Sequence, residues 1–224
     1  MTPTTCTNSK ELTTRHRYWH FLSAGKRLGY RDGREVKIGK TIKVSCEPIL
    51  CESGLHASYR AIDALQYARG PIICRVMLGG TLVVGEDKAA ATERTVLAMA
   101  DATTVLHEFA CWCATRALKT ANITDERSWN AISTKLKWLR GEATDEDLSA
   151  AESAAWSAAE SAARSAAESA AWSAAESAAW SAAESAAWSA AESASWSAAE
   201  SAAWSAQNTY LESKLKALLK ATGR

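Results

Sequence analysis

No run of 18 apolar residues occurs in this sequence, so no helix able to cross a bilayer is expected. There is no excess of charge of one sign either: 26 Lys and Arg face 25 Asp and Glu, for a formal net charge of +1. That balance argues against a generic nucleic-acid binder, which needs surplus cations to neutralise phosphates. The stretch Met1 to Lys10 is polar and lacks the apolar segment of a secretory leader, which points to a cytoplasmic protein. Proline is scarce, with Pro3, Pro48 and Pro71 all in the first third. Glycine stops at Gly141 and returns only at Gly223, so neither residue type that breaks helices lies between those two.

What fills that gap is an internal repeat. The octad Ser-Ala-Ala-Glu-Ser-Ala-Ala-Trp runs seven times from Ser149 to Trp204, with Arg164 in place of one Trp and Ser195 in place of one Ala. Charge divides along the same boundaries. Residues 1–148 carry 21 Lys and Arg against 17 Asp and Glu, residues 149–206 carry 1 against 7, and residues 207–224 carry 4 against 1. Half of each octad is alanine, the best helix former, and Ser and Trp cost too little to interrupt it. Thr144-Asp145-Glu146-Asp147 offers an N-cap with acids at the positive end of the helix dipole. Lys214, Lys216 and Lys220 suit the negative end, with Gly223 as a stop. The expectation is one helix from about Asp145 to about Ala221, roughly 115 Å long, projecting from a globule about 30–40 Å across.

Four residues advance an α-helix by about 400°, so Trp156, Trp172, Trp180, Trp188, Trp196 and Trp204 spiral round a straight helix and make no stripe. A hydrophobic period above 3.6 calls for right-handed supercoiling. Each indole can bury about 150–250 Å². Such surface favours packing against copies of the same helix, through these six residues as an oligomer interface, or against the N-terminal domain. The drift scatters the serines that a flat ice-binding face would need, and the segment is too acidic for a membrane-surface helix. Tyr210, Leu211, Leu215, Leu218 and Leu219 do form a stripe, read as the packing end of the same helix.

The first part of the chain reads as a small α+β domain. Tyr18 to Leu22, Ile38 to Val44 and Ile72 to Leu78 suit strands, and Thr81 to Val84 continues the last of them past Gly79-Gly80. Arg60 to Arg69 suits a short helix. Asp101 suits the N-cap of a helix through about Leu118, and Arg127 to Arg140 is amphipathic. The expected organisation is an α+β domain over 1–122, a connecting helix and linker over 123–144, and the repeat helix with its basic amphipathic end over 145–224. Cys46 and Cys51, and Cys111 and Cys113, have poor zinc spacing even with His56 and His107 nearby, so no metal is assigned. The six cysteines are read as reduced core residues.

Trp19-His20-Phe21-Leu22-Ser23 is followed by Gly54-Leu55-His56-Ala57-Ser58, then Tyr67, then Ile72 to Gly79. This order resembles the first half of the ADP-ribosyltransferase fold of poly-ADP-ribose polymerases, over roughly 65 residues. The resemblance implies an NAD site in which His20 hydrogen-bonds a ribose and Tyr67 stacks on nicotinamide. His56 would take the place of the family's first Tyr, where an imidazole can both stack and donate. The family's amide-binding Ser falls at Ala64. No later strand is found for its catalytic Glu, since Glu93 and Glu108 lie in helical or loop sequence. Without that carboxylate an oxocarbenium-like transition state loses its stabiliser, and no catalytic residue is assigned.

Cys51 to Ser58, the Asp87-Lys88 and Glu93-Arg94 region, Asp101 to Ala110, and tetrads closing at Gln207-Asn208 also resemble an uncharacterised family of phages and bacteria. That resemblance implies a two-part layout and a phage or prophage context, hence the host cytoplasm. The leading expectation is a non-enzymatic assembly or binding protein, with no resident cofactor, that oligomerises through its repeat helix and displays the N-terminal domain. One alternative is an ADP-ribosyltransferase-like protein that binds or consumes NAD. Another is a phage counter-defence protein that sequesters a small nucleotide.

Overall fold

A computed structural model of the chain describes residues 16–29, 32–158 and 184–222, with side chains described from 202 onward in the last segment. Two compact units emerge. One joins the chain up to Leu106 with the segment from Gln207, and the other runs from His107 to Ala206.

The first unit is built on five antiparallel strands: β1 (Arg17–Leu22), β2 (Thr41–Lys43), β3 (Leu55–Ser58), β4 (Ile72–Val84) and β5 (Lys88–Asp101). Their order is β2-β5-β3-β1-β4, and a further β4–β5 pairing closes it on itself. Closure leaves few free edges, which suits strands as long as β4 and β5. Those two bend at register shifts between Arg75 and Val76 and between Gly79 and Leu82. Gly80, at φ +71, takes a conformation that L side chains rarely adopt, next to the second shift.

Period-two alternation sorts the strand residues onto two faces. Tyr18, Leu22, Cys74, Val76 and Val96 share one buried cluster. Trp19 and Ile73, one residue out of phase, are fully buried on the other side. Short β3 and the long Ala89-Ala90-Ala91 run of β5 are paired in register, Leu55 with Ala91 and Ala57 with Ala89. The segment 88–101 reads as helical by propensity. Hydrogen bonding to strands on both sides, and the need for small side chains where the backbone is fully covered, overrule that preference.

Helix α1 (Ala61–Gln66) has no side-chain cap of its own. Its first N–H groups are satisfied from far along the chain. Asn208 Oδ1 accepts from Ile62 N at 3.2 Å and Glu212 Oε1 accepts from Ala61 N at 3.4 Å. Both acceptors belong to the last helix, labelled α4 here (Glu184–Thr222). Its stripe of Leu211, Leu215 and Leu219 is buried.

The second unit is helical: most of α2 (Thr103–Thr120), then α3 (Glu126–Leu139) and helical residues 145–158. Asp101 Oδ1 accepts from Thr103 N at 2.9 Å, as a cap should. Asp125 Oδ1 caps α3 through Arg127 N at 2.9 Å. Thr144 and Asp147 cap each other reciprocally, with Asp147 N donating to Thr144 Oγ1 at 3.1 Å and Thr144 N donating to Asp147 Oδ2 at 2.9 Å.

The chain is α+β, but the long Ala-rich helix standing free from 145 to 224 requires correction. The last helix over 202–222, where its side chains are described, is about twenty residues long and is not a long Ala-rich helix. From Gln207 onward it belongs to the sheet unit. The reason is chemical. The last turns replace the octad with a leucine stripe and two polar side chains, and these meet apolar surface and uncapped N–H groups on the sheet domain. A right-handed supercoil requires that continuous helix and falls with it. Residues 159–183, including Trp172 and Trp180, lie outside the described residues.

Candidate functional site

His20 sits on β1 in phase with Tyr18 and Leu22 and pairs across the strands with Cys74 of β4. It is half-buried, and its ring has no hydrogen-bond partner among the described residues. Arg94 of β5 pairs with Ile42 of β2 and keeps the phase of Val96, so its side chain shares this face. It is 2% exposed. Arg94 Nη1 donates to the His56 carbonyl oxygen at 2.9 Å, while its Nε is buried without a partner. Burial pushes the Arg94 guanidinium down to about 10, so it remains a cation at neutral pH.

The neighbours of Arg94 supply no counter-charge. Burial pushes the Cys74 thiol up to about 12, partly offset by Arg94 and Lys26. Burial first, and then the charges of Arg94 and His56, hold His20 well below the ordinary imidazole range. Both are therefore uncharged at neutral pH. No ion pair among the described residues reaches Arg94.

His56 is on β3, and its ring is committed to the preceding turn. Nε2 accepts from Cys51 N at 3.2 Å, and Nδ1 lies 3.2 Å from the Gly54 carbonyl oxygen. This pattern fits a neutral imidazole protonated on Nδ1. Burial lowers its pKa first, with Lys88 and Arg94 adding to the effect against the hydrogen bond to Gly54. Gly54, at φ +97, makes the turn tight, because a Cβ there would stand 3.1 Å from Pro48 Cβ. Tyr67 follows α1 and is exposed. Its hydroxyl donates to Asp87 Oδ2, and Lys88 Nζ lies 3.9 Å from its ring centroid.

The three residues singled out in the sequence therefore differ in what they can offer. His20 keeps both ring nitrogens for a ligand. His56 has spent its nitrogens on the 51–56 turn and can present only its ring. One face of Tyr67 is covered by an ammonium group. Glu93, expected in helical or loop sequence, is on β5, where Lys43 Nζ meets its Oε1 at 2.7 Å. Ala64 is buried in α1.

Of the tryptophans expected at an oligomer interface, Trp156 is 76% exposed and Trp204 half-buried. Trp188 and Trp196 lie outside the described side chains. Cys74 and Cys111 are buried, whereas Cys46 and Cys51 are at the surface, which corrects their assignment to the core. Among the described residues no group of three or more His, Cys, Asp or Glu is placed to hold a metal. No helix among them is long and apolar enough to cross a membrane.

Arg94 and Lys88 were missed because the strand that carries them was not recognised. The signal existed in Thr92 to Val96, where Arg94 is in phase with Val96 once β5 is read as a strand. No protein-family model, curated protein or solved structure matches the chain.

Proposed function

We propose that the protein is a non-enzymatic binding and assembly protein, in which the tryptophan octads bring copies together and the sheet unit carries a ligand. Trp156 supports the assembly half of this reading. An indole of the first octad left 76% exposed on a capped helix is apolar surface with no cover. Light scattering on the full chain is expected to give a multiple of the chain mass, and Trp156→Ser is expected to shift that mass downward. Equal monomer masses for both would remove the assembly reading. A chain truncated near Arg140 is a poor control, because it would also lose the leucine stripe docked on the sheet unit.

A second reading, an ADP-ribosyltransferase-like protein that binds or consumes NAD, is favoured by His20, whose half-buried ring is neutral and unpartnered. Labelled NAD tests it on wild type and His20→Ala. Binding with turnover supports an enzyme, binding without turnover supports sequestration of a nucleotide, and neither event ends this reading.

A further inference from the structure

Three described groups of the sheet unit bury an unpaired donor, Trp19 Nε1, Arg75 Nη1 and Arg94 Nε, and of these Arg94 is the almost wholly buried cation. It spends one N–H on the His56 carbonyl, and its Nε–H points at nothing. Burying an ion costs several kcal/mol unless a partner repays it. An unpaired donor adds a further cost. The other buried charge of this unit escapes both costs by pairing: Asp63, 2% exposed, accepts from Arg60 Nε and Nη2 at 2.7 Å each. Arg94 has no such partner among the described residues, and the titratable side chains that share its face are the Cys74 thiol and the His20 imidazole. An acceptor arriving from outside would close the set. His20 marks the route, since it shares the face with Arg94 and is the member of the group that is part solvent-exposed with free ring nitrogens.

We infer that Arg94 anchors a small oxyanion ligand, a carboxylate or a phosphoryl group, in the sheet unit, with His20 donating a second hydrogen bond at the solvent side. A guanidinium selects such a group because its fork matches two oxygens of one acceptor. A cation is excluded by the fixed positive charge, and a neutral ligand would leave that charge uncompensated. The proposal depends neither on the assembly reading nor on NAD chemistry.

The test uses the full chain at constant ionic strength, titrated separately with inorganic phosphate, pyrophosphate and acetate. Calorimetry and thermal unfolding are the readouts, together with the 15N resonance of Arg94 Nε. At least one anion is expected to bind, to raise the unfolding temperature and to shift that resonance. Arg94→Met, which keeps the volume and removes the charge, is expected to weaken binding at least about tenfold, the loss of one charge-assisted hydrogen bond. His20→Gln, which keeps a donor, should retain most of the binding, while His20→Ala should lose several-fold. Phosphate binding alone identifies a phosphoryl ligand, and acetate binding alone a carboxylate. Failure of all three anions to bind folded wild type below about 10 mM would overturn the proposal. So would an unmoved Nε resonance, or equal binding by Arg94→Met. If Arg94→Met does not fold, the wild-type resonance and the two His20 variants still decide it. Phosphate binding without NAD binding would sink the NAD reading and leave this one standing.

Discussion

Two alanine-rich stretches of this chain have opposite fates. Ala89, Ala90 and Ala91 are fully buried in β5, paired on both sides. In the first octad, 149–156, alanines of the same type lie on a helix where Ala150 is exposed, Ala151 is buried and Trp156 is open to solvent. Local preference is nearly the same in both places. What differs is the neighbourhood. Around 89–91 the partner strands β3 and β4 supply hydrogen bonds and leave room only for a methyl group. Around 149–156 a helix supplies its own hydrogen bonds, and only part of its surface is covered. Alanine thus serves one region by being small and the other by being helical.

The largest break in this contrast is expected at the segment that crosses it. Leu215 is fully buried in the sheet unit although it belongs to the helix that carries the last octads. Leu215→Ala is expected to destabilise that unit by about 2–5 kcal/mol, read by urea unfolding. Amide exchange should rise in α1, whose N–H groups Asn208 and Glu212 satisfy. If exchange in α1 does not change, α4 is not holding it.

A direct comparison of the two alanine settings should give a smaller effect. Ala90→Leu is expected to cost about 1–3 kcal/mol by overpacking. Ala150→Leu, on an exposed helix position, should stay within about 0.5 kcal/mol. Similar costs for both would mean that the two regions are not packed as differently as described.

Acid should separate the regions most gently. His20 is held well below its ordinary 6.5, first by burial and then by Arg94 and His56, so the folded sheet unit takes up a proton less readily than the unfolded chain. Its stability is complete above 6.5 and falls as pH drops below that value. In the helical unit Asp125 is held down to about 2, chiefly by side-chain hydrogen bonds from Arg127, so its contribution is present above 3.8 and is lost only as pH falls from there toward 2. Amide protection factors, taken relative to the intrinsic exchange rate at each pH, should therefore fall between pH 7 and 5 in β1 and β4 before α3, and His20→Gln should flatten that early fall. Simultaneous onset in both units would contradict this assignment.

Legibility followed the same divide. β1, β4 and the helices α1 to α3 carry hydrophobic periods that announce them, and the caps at Asp101 before α2 and Thr144 before the helical residues 145–158 are readable as letters. β3 is too short to stand out, and β5 carries, just after Lys88, three alanines that suit a helix. The candidate site was half legible for that reason. His20 and His56 stood in recognisable surroundings, while Arg94 was hidden in a strand read as something else. The leucine stripe of α4 was visible, but its partner was not, because a stripe states that a face is apolar and not what will cover it.

By itself the sequence determined the octad period, the lack of helix breakers between Gly141 and Gly223, and the apolar stripe at the end, all of which depend on residues near one another in the chain. Only the tertiary structure decided that 88–101 would be a strand, that the stripe would return to the sheet, and that Arg94 would be enclosed without a counter-ion. These outcomes turn on hydrogen-bond partners and dielectric surroundings contributed by residues far away in the chain. Asn208 satisfying the N–H of Ile62 is the plainest case.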